Sequence, residues 1–294
     1  MSPATDKSKP VAVIGTGLLG SALAERLMGA GFSVVVYNRT REKAAPLERL
    51  GARWSDRPLA ECDRAVVCLY RTEHVESLLE AMAADLRSGQ TLVDATTGDP
   101  QQTEALGQRL VELGIDYLES PIAASSEQTR RGEALAMVAG KRAAYDACAD
   151  LFAAIAPKSF YLGTWGNAAR MKLVNNLILG LNRAALAEGL LFAEAEGLDP
   201  GAVLEVLKSS NSYSAVMDVK GRKMVERDFA VQARLAQHRK DVEMILAEGQ
   251  ATGRVWPLST LHRELLLLAE RSDLGDVDNS AVIEAISRAS REAT

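Results

Sequence analysis

Short apolar runs alternate with helical patterns through the first half of the chain. Val11–Ile14 and Val34–Tyr37 are apolar runs of the kind that form buried parallel strands. A helical pattern at residues 21–28 separates them, and glycines close it. We therefore predict an α/β domain built on a doubly wound parallel sheet. Further strands are predicted at residues 65–69, 90–95, 116–118, 134–139 and 159–162, with helices at 74–86 and 103–113.

The second half of the chain shows only helical patterns, and the longest of them joins the two halves. Residues 163–196 predict one helix of about 30 residues, roughly 45 Å long at about 1.5 Å per residue. Its apolar side chains cover most of the circumference, so we expect burial on nearly all sides. They are Met171, Leu173, Val174, Leu177, Ile178, Leu181, Leu186, Leu190 and Leu191. Shorter helices are predicted at residues 201–208, 261–270 and 280–290, which makes the C-terminal part all-α.

A glycine-rich loop lies between the first strand and the first helix. In this context Gly-x-Gly-x-x-Gly is a strong signal for a dinucleotide site. The first glycine allows a tight turn, the second lets a pyrophosphate approach the backbone, and the third lets the helix pack on the strand. The N–H groups at the helix start can then bind the phosphates; the alternative is a glycine-rich turn with no ligand. The expected cofactor-binding residues of this loop are Gly15, Thr16, Gly17, Leu18, Leu19 and Gly20.

These patterns predict two domains, as is usual for a chain of 294 residues. We assign residues 11–163 to a Rossmann-type dinucleotide-binding domain, 164–196 to an interdomain helix and 197–294 to a helical domain. Residues 1–10 are polar and are expected to form a disordered tail that is neither a signal peptide nor an anchor.

The residues after the second strand indicate which dinucleotide binds. An NAD site usually places a carboxylate there to hold the ribose 2′-hydroxyl. This chain has Asn38, Arg39 and Thr40 instead, followed by two more cations. A guanidinium can bind a 2′-phosphate with two hydrogen bonds, and the threonine hydroxyl can add another. The segment therefore predicts NADP; the alternative is a solvated loop.

The nicotinamide end of the cofactor is expected at the carboxyl ends of the other strands, where ligands of such sheets lie. This places Leu69, Tyr70 and Thr97 beside it, together with the segment after Leu118.

Lys172 and Asn176 are the candidate catalytic residues. They are four residues apart on the long helix, so they lie on one face. A buried lysine is costly unless it is paired or used. Two interpretations remain open at this point, since Lys172 either extends to water at the helix start or carries a proton. The glycines just before the helix favour the second, because they allow a ligand or backbone to come close.

The chain resembles the β-hydroxyacid dehydrogenase family, which includes 3-hydroxyisobutyrate dehydrogenases and semialdehyde reductases. The resemblance rests on the glycine loop, on Lys172 and Asn176, and on the pair Lys240–Asp241. It implies hydride transfer between NADP and a small carbonyl compound or its alcohol, with Lys172 as general acid and base. It also implies that Asn176 orients the substrate or Lys172, that Lys240 contacts substrate or nicotinamide ribose, and that subunits dimerise through the helical domain.

One segment departs from the family. Relatives usually have Asp-Ala-Pro-Val-Ser-Gly-Gly there, and its Ser-Gly-Gly holds the substrate carboxylate. This chain reads Glu-Ser-Pro-Ile-Ala-Ala-Ser, so Ala123, Ala124 and Ser125 are the expected substrate-binding residues. The serine hydroxyl and both glycines are replaced, and Ser125, Ser126 or Arg130 are the alternative donors to an anion. The Thr-Thr-Gly-Asp-Pro run at residues 96–100 is similar to imine reductases, which lack the lysine.

Composition limits the remaining choices. The net charge of −5 gives no reason to expect nucleic acid or an anionic membrane as a partner. The three cysteines have no metal-ligand spacing, so no metal is expected and a cytoplasmic location is favoured. We expect an NADP-dependent dehydrogenase or reductase that acts on a small molecule and forms a homodimer or a larger homo-oligomer. The alternatives are an imine reductase and, from another class, a non-catalytic NADP-binding sensor or scaffold.

Overall fold

A computed structural model describes residues 9–292 and divides into two compact units. Unit 1 ends at Lys172 and unit 2 begins at Leu173. The predicted tail at residues 1–10 lies outside the described residues except for its last two.

Six strands of unit 1 form a parallel sheet in the order β3-β2-β1-β4-β5-β6. They are β1 (Val11–Ile14), β2 (Val34–Tyr37), β3 (Arg53–Trp54), β4 (Arg64–Val67), β5 (Thr91–Asp94) and β6 (Asp116–Glu119). Val11 lies opposite Val34 on one side and Arg64 on the other, which places β1 in the middle. The strand order reverses beside β1, as in a doubly wound sheet, and the predicted fold class is confirmed.

Three further strands extend the sheet beyond β6. They are β7 (Ile122–Ala123), β8 (Leu135–Gly140) and β9 (Lys158–Tyr161). Strand β8 runs antiparallel to β6 and β7 and parallel to β9. The sequence patterns did not predict β3 or β7, because two residues are too few to show a periodicity.

Eight α-helices lie between residues 18 and 155, and several of them cover the two faces of this sheet. They are α1 (Leu18–Gly29), α2 (Ala45–Arg49), α3 (Pro58–Glu61), α4 (Thr72–Ala81), α5 (Pro100–Glu112), α6 (Ser126–Arg130), α7 (Arg142–Ala147) and α8 (Ala149–Ile155). Val11 and Val13 point into a core with α1 and α8, whereas Ala12 and Ile14 point into a core with α4 and α5. Both faces of β1 are therefore buried, which explains its uninterrupted apolar sequence.

The long predicted helix is present as α9 (Asn167–Ala195). The expectation that it is buried on nearly all sides is wrong for the single chain. Met171, Val174, Ile178 and Phe192 are 42%, 50%, 54% and 67% exposed. Apolar residues occur on more than one face of α9, and the rest of the chain covers only part of them.

Unit 2 is all-α within the described residues, apart from one isolated bridge between Arg234 and Asp278. Its helices after α9 are α10 (Pro200–Lys208), α11 (Arg222–Glu226), α12 (Leu235–Ala251), α13 (Pro257–Glu270) and α14 (Val282–Glu292). Leu186 and Leu190 of α9 pack with Val242, Leu266 and Ile283 in one core. None of the helices in residues 9–292 is both long and apolar enough to span a bilayer.

Candidate functional site

Two glycines of the loop after β1 are required by the protein itself. Gly15 has a φ of +97°, and a Cβ there would lie 2.2 Å from the carbonyl oxygen of Cys68. A Cβ at Gly20 would lie 1.8 Å from the carbonyl oxygen of Gly15. Any side chain at either position would force the turn or α1 away from the strands. The tight turn and the close packing that the motif predicts are therefore both present.

Gly17 differs from these two glycines. Its φ of −73° suits any residue, and a Cβ would meet no protein atom within 4 Å. Neither backbone conformation nor packing therefore requires glycine at this position. It stands directly before Leu18, the first residue of α1, and in the described part of the chain no side chain caps this helix. An open surface beside uncapped N–H groups fits the pyrophosphate of a dinucleotide.

Asn38 links the glycine loop to the end of β2. Its side-chain oxygen accepts a hydrogen bond from the N–H of Thr16 at 3.1 Å, and its amide donates to the carbonyl of Thr40 at 2.8 Å. The side chain of Asn38 therefore helps to fix the shape of the glycine loop and of the segment after β2. Asn38 was itself predicted to contact the cofactor.

The cationic segment after β2 is exposed. Arg39 and Thr40 lie at the surface, and no carboxylate stands at positions 38–40. Arg41 is engaged elsewhere, because its guanidinium pairs with Glu48 and lies 4.3 Å from the ring centre of Trp54. Arg39 is thus better placed than Arg41 to meet a 2′-phosphate at this strand end.

The ends of β4 and β5 come together as predicted. The N–H of Leu69 donates to the hydroxyl of Thr96 at 3.0 Å, which joins the two loops. Tyr70 is 42% exposed and contacts His74 edge to face. Thr97 is half-buried next to Thr96. A hydrogen bond thus holds these residues outside the carboxyl ends of neighbouring strands, where ligands of such sheets bind.

The departing segment offers few donors to an anion. Ala123 and Ala124 are half-buried and contribute only methyl groups. The hydroxyl of Ser125 accepts from the N–H of Gln128 at 3.2 Å in a capping box at the start of α6. Arg130 makes two hydrogen bonds to Glu25, at 2.8 and 3.0 Å. The guanidinium of Arg130 is therefore already used as a donor in the fold, whereas the Ser125 hydroxyl acts here only as an acceptor.

Lys172 does not extend into water. Its side chain is buried, with 8% of the residue exposed, and Nζ donates to the carbonyl oxygen of Ile122 at 2.8 Å. Ile122 directly precedes Ala123, so the ammonium lies next to the segment that was predicted to bind the substrate. A lysine has three N–H donors, and this carbonyl accepts one of them.

Unit 2 contains the other predicted residues. The amide of Asn176 donates to Asp241 at 2.8 Å, and Nζ of Lys240 lies 3.0 Å from the same carboxylate. Lys240 is fully buried. The structure thus brings Asn176 and Lys240 together on Asp241, which was not predicted as a site residue. Its place in the Lys-Asp pair was the signal that could have identified it.

Glu119 is a further residue that the sequence analysis did not select. It is the last residue of β6 and is 2% exposed. Its carboxylate accepts hydrogen bonds from the N–H of Gly166 at 2.7 Å and from the N–H of Ala169. Burial raises the pKa of this carboxyl to about 7. An acidic residue at the end of a buried strand was the available signal, since such a position is costly without hydrogen-bond donors.

Metal ions in proteins are bound by clusters of side chains. Within residues 9–292 no three side chains of His, Cys, Asp or Glu come together in a way that could hold a metal ion. Burial raises the pKa of Cys62 to about 11 and that of Cys148 to about 12. These two thiols are therefore protonated at neutral pH.

Two known families match consecutive parts of the chain. The NAD binding domain of 6-phosphogluconate dehydrogenase matches residues 10–163. The family described as NAD-binding of NADP-dependent 3-hydroxyisobutyrate dehydrogenase matches residues 166–286. Together they include the glycine loop, the predicted substrate segment and Lys172.

Two curated relatives match nearly the whole chain. Glyoxylate/succinic semialdehyde reductase 2, chloroplastic, of Arabidopsis thaliana is 31% identical over 290 residues, which cover 96% of this chain and 81% of the relative. The cytokine-like nuclear factor N-PAC of Homo sapiens is 30% identical over 287 residues, again 96% of this chain. The chain spans about half the length of N-PAC, 52%.

Solved structures share the fold. Psf3 in complex with NADP+ and 2-OPP is 28% identical with a TM-score of 0.86, covering 94% of this chain and 99% of that one. An imine reductase from Pseudomonas sp. is 21% identical with a TM-score of 0.64, covering 95% of this chain and 99% of that one. The second likeness shows the fold alone.

The contrast between Gly17 and Gly20 gives a first prediction. Gly17→Ala adds a methyl group to open space, so we expect the thermal midpoint to change by less than about 2 °C. The same methyl group should weaken NADPH binding at least about tenfold, because it occupies the surface where a pyrophosphate approaches. Thermal unfolding and fluorescence titration with NADPH measure the two effects.

Gly20→Ala is the matched comparison. Its Cβ collides with the Gly15 carbonyl, so we expect a loss of stability of about 1–3 kcal/mol before any ligand is added. Native NADPH affinity in Gly17→Ala would mean that the loop does not hold the cofactor.

Proposed function

This chain belongs to the β-hydroxyacid dehydrogenase family, and we propose that it is an NADP-dependent oxidoreductase that interconverts a small carbonyl compound and its alcohol. The substrate class comprises aldehydes, semialdehydes and keto acids, and the predicted substrate segment favours its uncharged members. The observation that carries the proposal is the buried Lys172, whose Nζ is held at 2.8 Å by the carbonyl of Ile122 beside the predicted substrate segment. A buried lysine that is fixed next to a ligand segment suits proton transfer.

The cofactor assignment rests on two features of unit 1. Gly17 keeps an open surface at the start of α1, which fits a pyrophosphate. The end of β2 offers Arg39 and Thr40 in place of the carboxylate that an NAD site uses. Both features fit NADP, and Leu69, Tyr70 and Thr97 are proposed to line its nicotinamide end.

The chain's own residues bind, orient and move the proton. Bound NADP supplies or accepts the hydride at its nicotinamide ring. Lys172 gives a proton to the carbonyl oxygen of the substrate during reduction and takes it back during oxidation. The Ile122 carbonyl fixes Nζ for this transfer, which lowers the entropic cost of reaching the reactive geometry. We propose that Asn176 orients the substrate, that Lys240 contacts the substrate or the ribose, and that Asp241 holds both side chains.

The substrate segment favours a substrate without a carboxylate. The methyl groups of Ala123 and Ala124 replace a serine and a glycine, and the guanidinium of Arg130 already donates to Glu25. A carboxylate that is desolvated with unmet hydrogen bonds loses about 1–3 kcal/mol for each one, and more when a charge is involved. We therefore propose an uncharged aldehyde or ketone as the preferred substrate.

Two alternative functions remain distinguishable. An imine reductase is favoured by the Thr-Thr-Gly-Asp-Pro run at residues 96–100, whereas the retained Lys172 favours a carbonyl substrate. A protein that binds NADP without turnover belongs to another class, and Lys172 would then have no proton to transfer. A screen of aldehydes, keto acids and cyclic imines with NADPH, followed by loss of its absorbance, separates the three. We expect turnover with an aldehyde or a ketone.

A homodimer in the cytoplasm completes the proposal. The exposed apolar side chains of α9, including Val174, Ile178 and Phe192, form a surface that a second copy of the chain can cover. The net charge of −5 and the three cysteines without metal spacing favour a cytoplasmic setting.

The cofactor preference gives a second prediction. NADPH should bind at least about tenfold more tightly than NADH, about 1.4 kcal/mol, because Arg39 meets the 2′-phosphate. Asn38→Asp with Arg39→Leu should reverse this preference, since the carboxylate then holds the 2′-hydroxyl. The measurement is kcat/KM for both cofactors, with Arg49→Leu as a control that removes an exposed nearby charge. Equal values of kcat/KM in the native enzyme would contradict the assignment.

The role of Lys172 gives a third prediction. Lys172→Ala should lower kcat by about 10²–10⁴-fold, which is the usual contribution of a general acid or base, and should leave NADPH binding close to native. Lys158→Ala removes an exposed lysine of the same unit and should change neither quantity. A Lys172→Ala variant that keeps more than about half of its kcat would reduce Lys172 to a packing residue.

The substrate segment gives a fourth prediction. The native enzyme should have a higher kcat/KM for an uncharged aldehyde than for succinic semialdehyde when the two compounds are of similar length. Ala123→Ser with Ala124→Gly should move the preference towards the acid, because it restores a hydroxyl and opens the backbone. A native preference of more than about tenfold for succinic semialdehyde would overturn the idea.

A further inference from the structure

The strand end at Glu119 and the start of α9 are joined by two buried hydrogen bonds. One carboxylate oxygen of Glu119 accepts from the N–H of Gly166 at 2.7 Å, and the other accepts from the N–H of Ala169. Glu119 is 2% exposed, and Ala169 is buried. A side chain from β6 thus satisfies N–H groups that the beginning of a helix leaves without an internal partner.

This arrangement replaces an ordinary helix cap. A cap usually comes from the residue at the helix start itself. Here the residue before the first helical position is Gly166, which has no side chain, and the amide of Asn167 donates to the carbonyl of Leu162 at 2.9 Å. The acceptor is supplied instead by Glu119, which lies 47 residues from Gly166 along the chain. A distant carboxylate in this role fixes the start of the helix to the edge of the sheet as well as satisfying its N–H groups.

The same segment also holds Lys172. Three residues after Glu119, the carbonyl of Ile122 accepts from Lys172 Nζ at 2.8 Å. Ala169 and Lys172 are three residues apart on α9 and so lie on one face. Residues 119–122 therefore hold the first turn of α9 at its backbone and the next turn at the Lys172 ammonium.

We propose that Glu119 is a positioning residue for the reaction, whose carboxylate fixes the first turn of α9 and thereby places the Lys172 Nζ against the substrate oxygen. This inference rests on the proposed function. Glu119 touches neither substrate nor cofactor in this account and acts only through α9. The alternative is that Glu119 contributes to folding and nothing else.

The ionisation of Glu119 separates the two roles. Burial raises the pKa of its carboxyl to about 7, from 4.5 as the ordinary value. The groups that face it are Asp94 of β5, which raises this pKa, the N–H groups of Gly166 and Ala169, which lower it, and Arg170, which also lowers it. Burial raises the pKa of Tyr117 of β6, and the charges of Asp94 and Glu119 raise it further. The hydroxyl of Tyr117 donates a hydrogen bond to Asp94 at 2.8 Å.

Stability and activity should respond to this ionisation in opposite directions. The folded pKa lies above the unfolded one, so the folded protein binds more protons between about pH 4.5 and 7 and loses stability as the pH rises through that window. The charged carboxylate also makes the stronger hydrogen bonds to the two N–H groups. The position of Lys172 should therefore improve as Glu119 ionises in the folded protein, so kcat should rise around pH 7 towards a plateau above about pH 8.

The test compares Glu119→Gln with the native enzyme, using NADPH and the best carbonyl substrate. We expect kcat to fall by about 10–100-fold above about pH 8, as small displacements of a catalytic group do, while KM and NADPH affinity stay within about twofold. The rise of kcat near pH 7 should disappear, and any limb due to Lys172 should remain. Glu119→Asp keeps the charge and should restore part of kcat together with the rise. Glu104 is an exposed neighbour of Arg170, so Glu104→Gln is the control and should match the native enzyme.

Three outcomes would overturn the proposal. They are a native kcat in Glu119→Gln, a lower kcat whose rise near pH 7 persists, and a loss of activity that only follows the fraction of unfolded protein. Hydrogen exchange at the amide of Ala169 gives a readout that needs no turnover. Unchanged exchange in Glu119→Gln would refute the anchoring itself. Faster exchange in Glu119→Gln, together with no turnover by the native enzyme, would refute the proposed function alone.

Discussion

The fold depends on how the start of the long helix α9 is attached to the carboxyl end of β6. The attachment is polar and buried. Two N–H groups at the start of α9 donate to the carboxylate of Glu119, and Nζ of Lys172 donates to the carbonyl of Ile122. Buried polar groups are costly unless each has a partner, so the three contacts favour one position of the helix start over its alternatives. The first two turns of α9 are thereby fixed to the strand end that also leads into Ala123.

The other parts of the candidate site also lie at the carboxyl ends of strands. The glycine loop follows β1, the Leu69–Thr96 hydrogen bond joins the ends of β4 and β5, and Glu119 ends β6. All of these strands are parallel, so their carboxyl ends share one edge of the sheet. The topology brings Gly17, the proposed cofactor contact, and Lys172, the proposed proton carrier, to that end of the sheet.

The features that sequence could predict are those with a local physical cause. Val11–Ile14 is apolar without interruption because both of its faces are buried, and Gly15 and Gly20 are glycines because a Cβ would strike the backbone. Three features could not be predicted from the sequence because their causes are not local. The antiparallel course of β8, the exposed apolar face of α9 and the bond from Glu119 to Ala169 all depend on residues far apart in the chain.

We propose that the carboxyl ends of these strands support reduction of a carbonyl group by NADPH. The decisive experiment is a single-turnover reaction with NADPH that carries deuterium at its hydride-donating carbon, followed by mass spectrometry of the product. Deuterium should appear on the carbon that bears the new hydroxyl group. Tight binding of the labelled cofactor with no deuterium in any product, across aldehydes and ketones, would rule out this reaction.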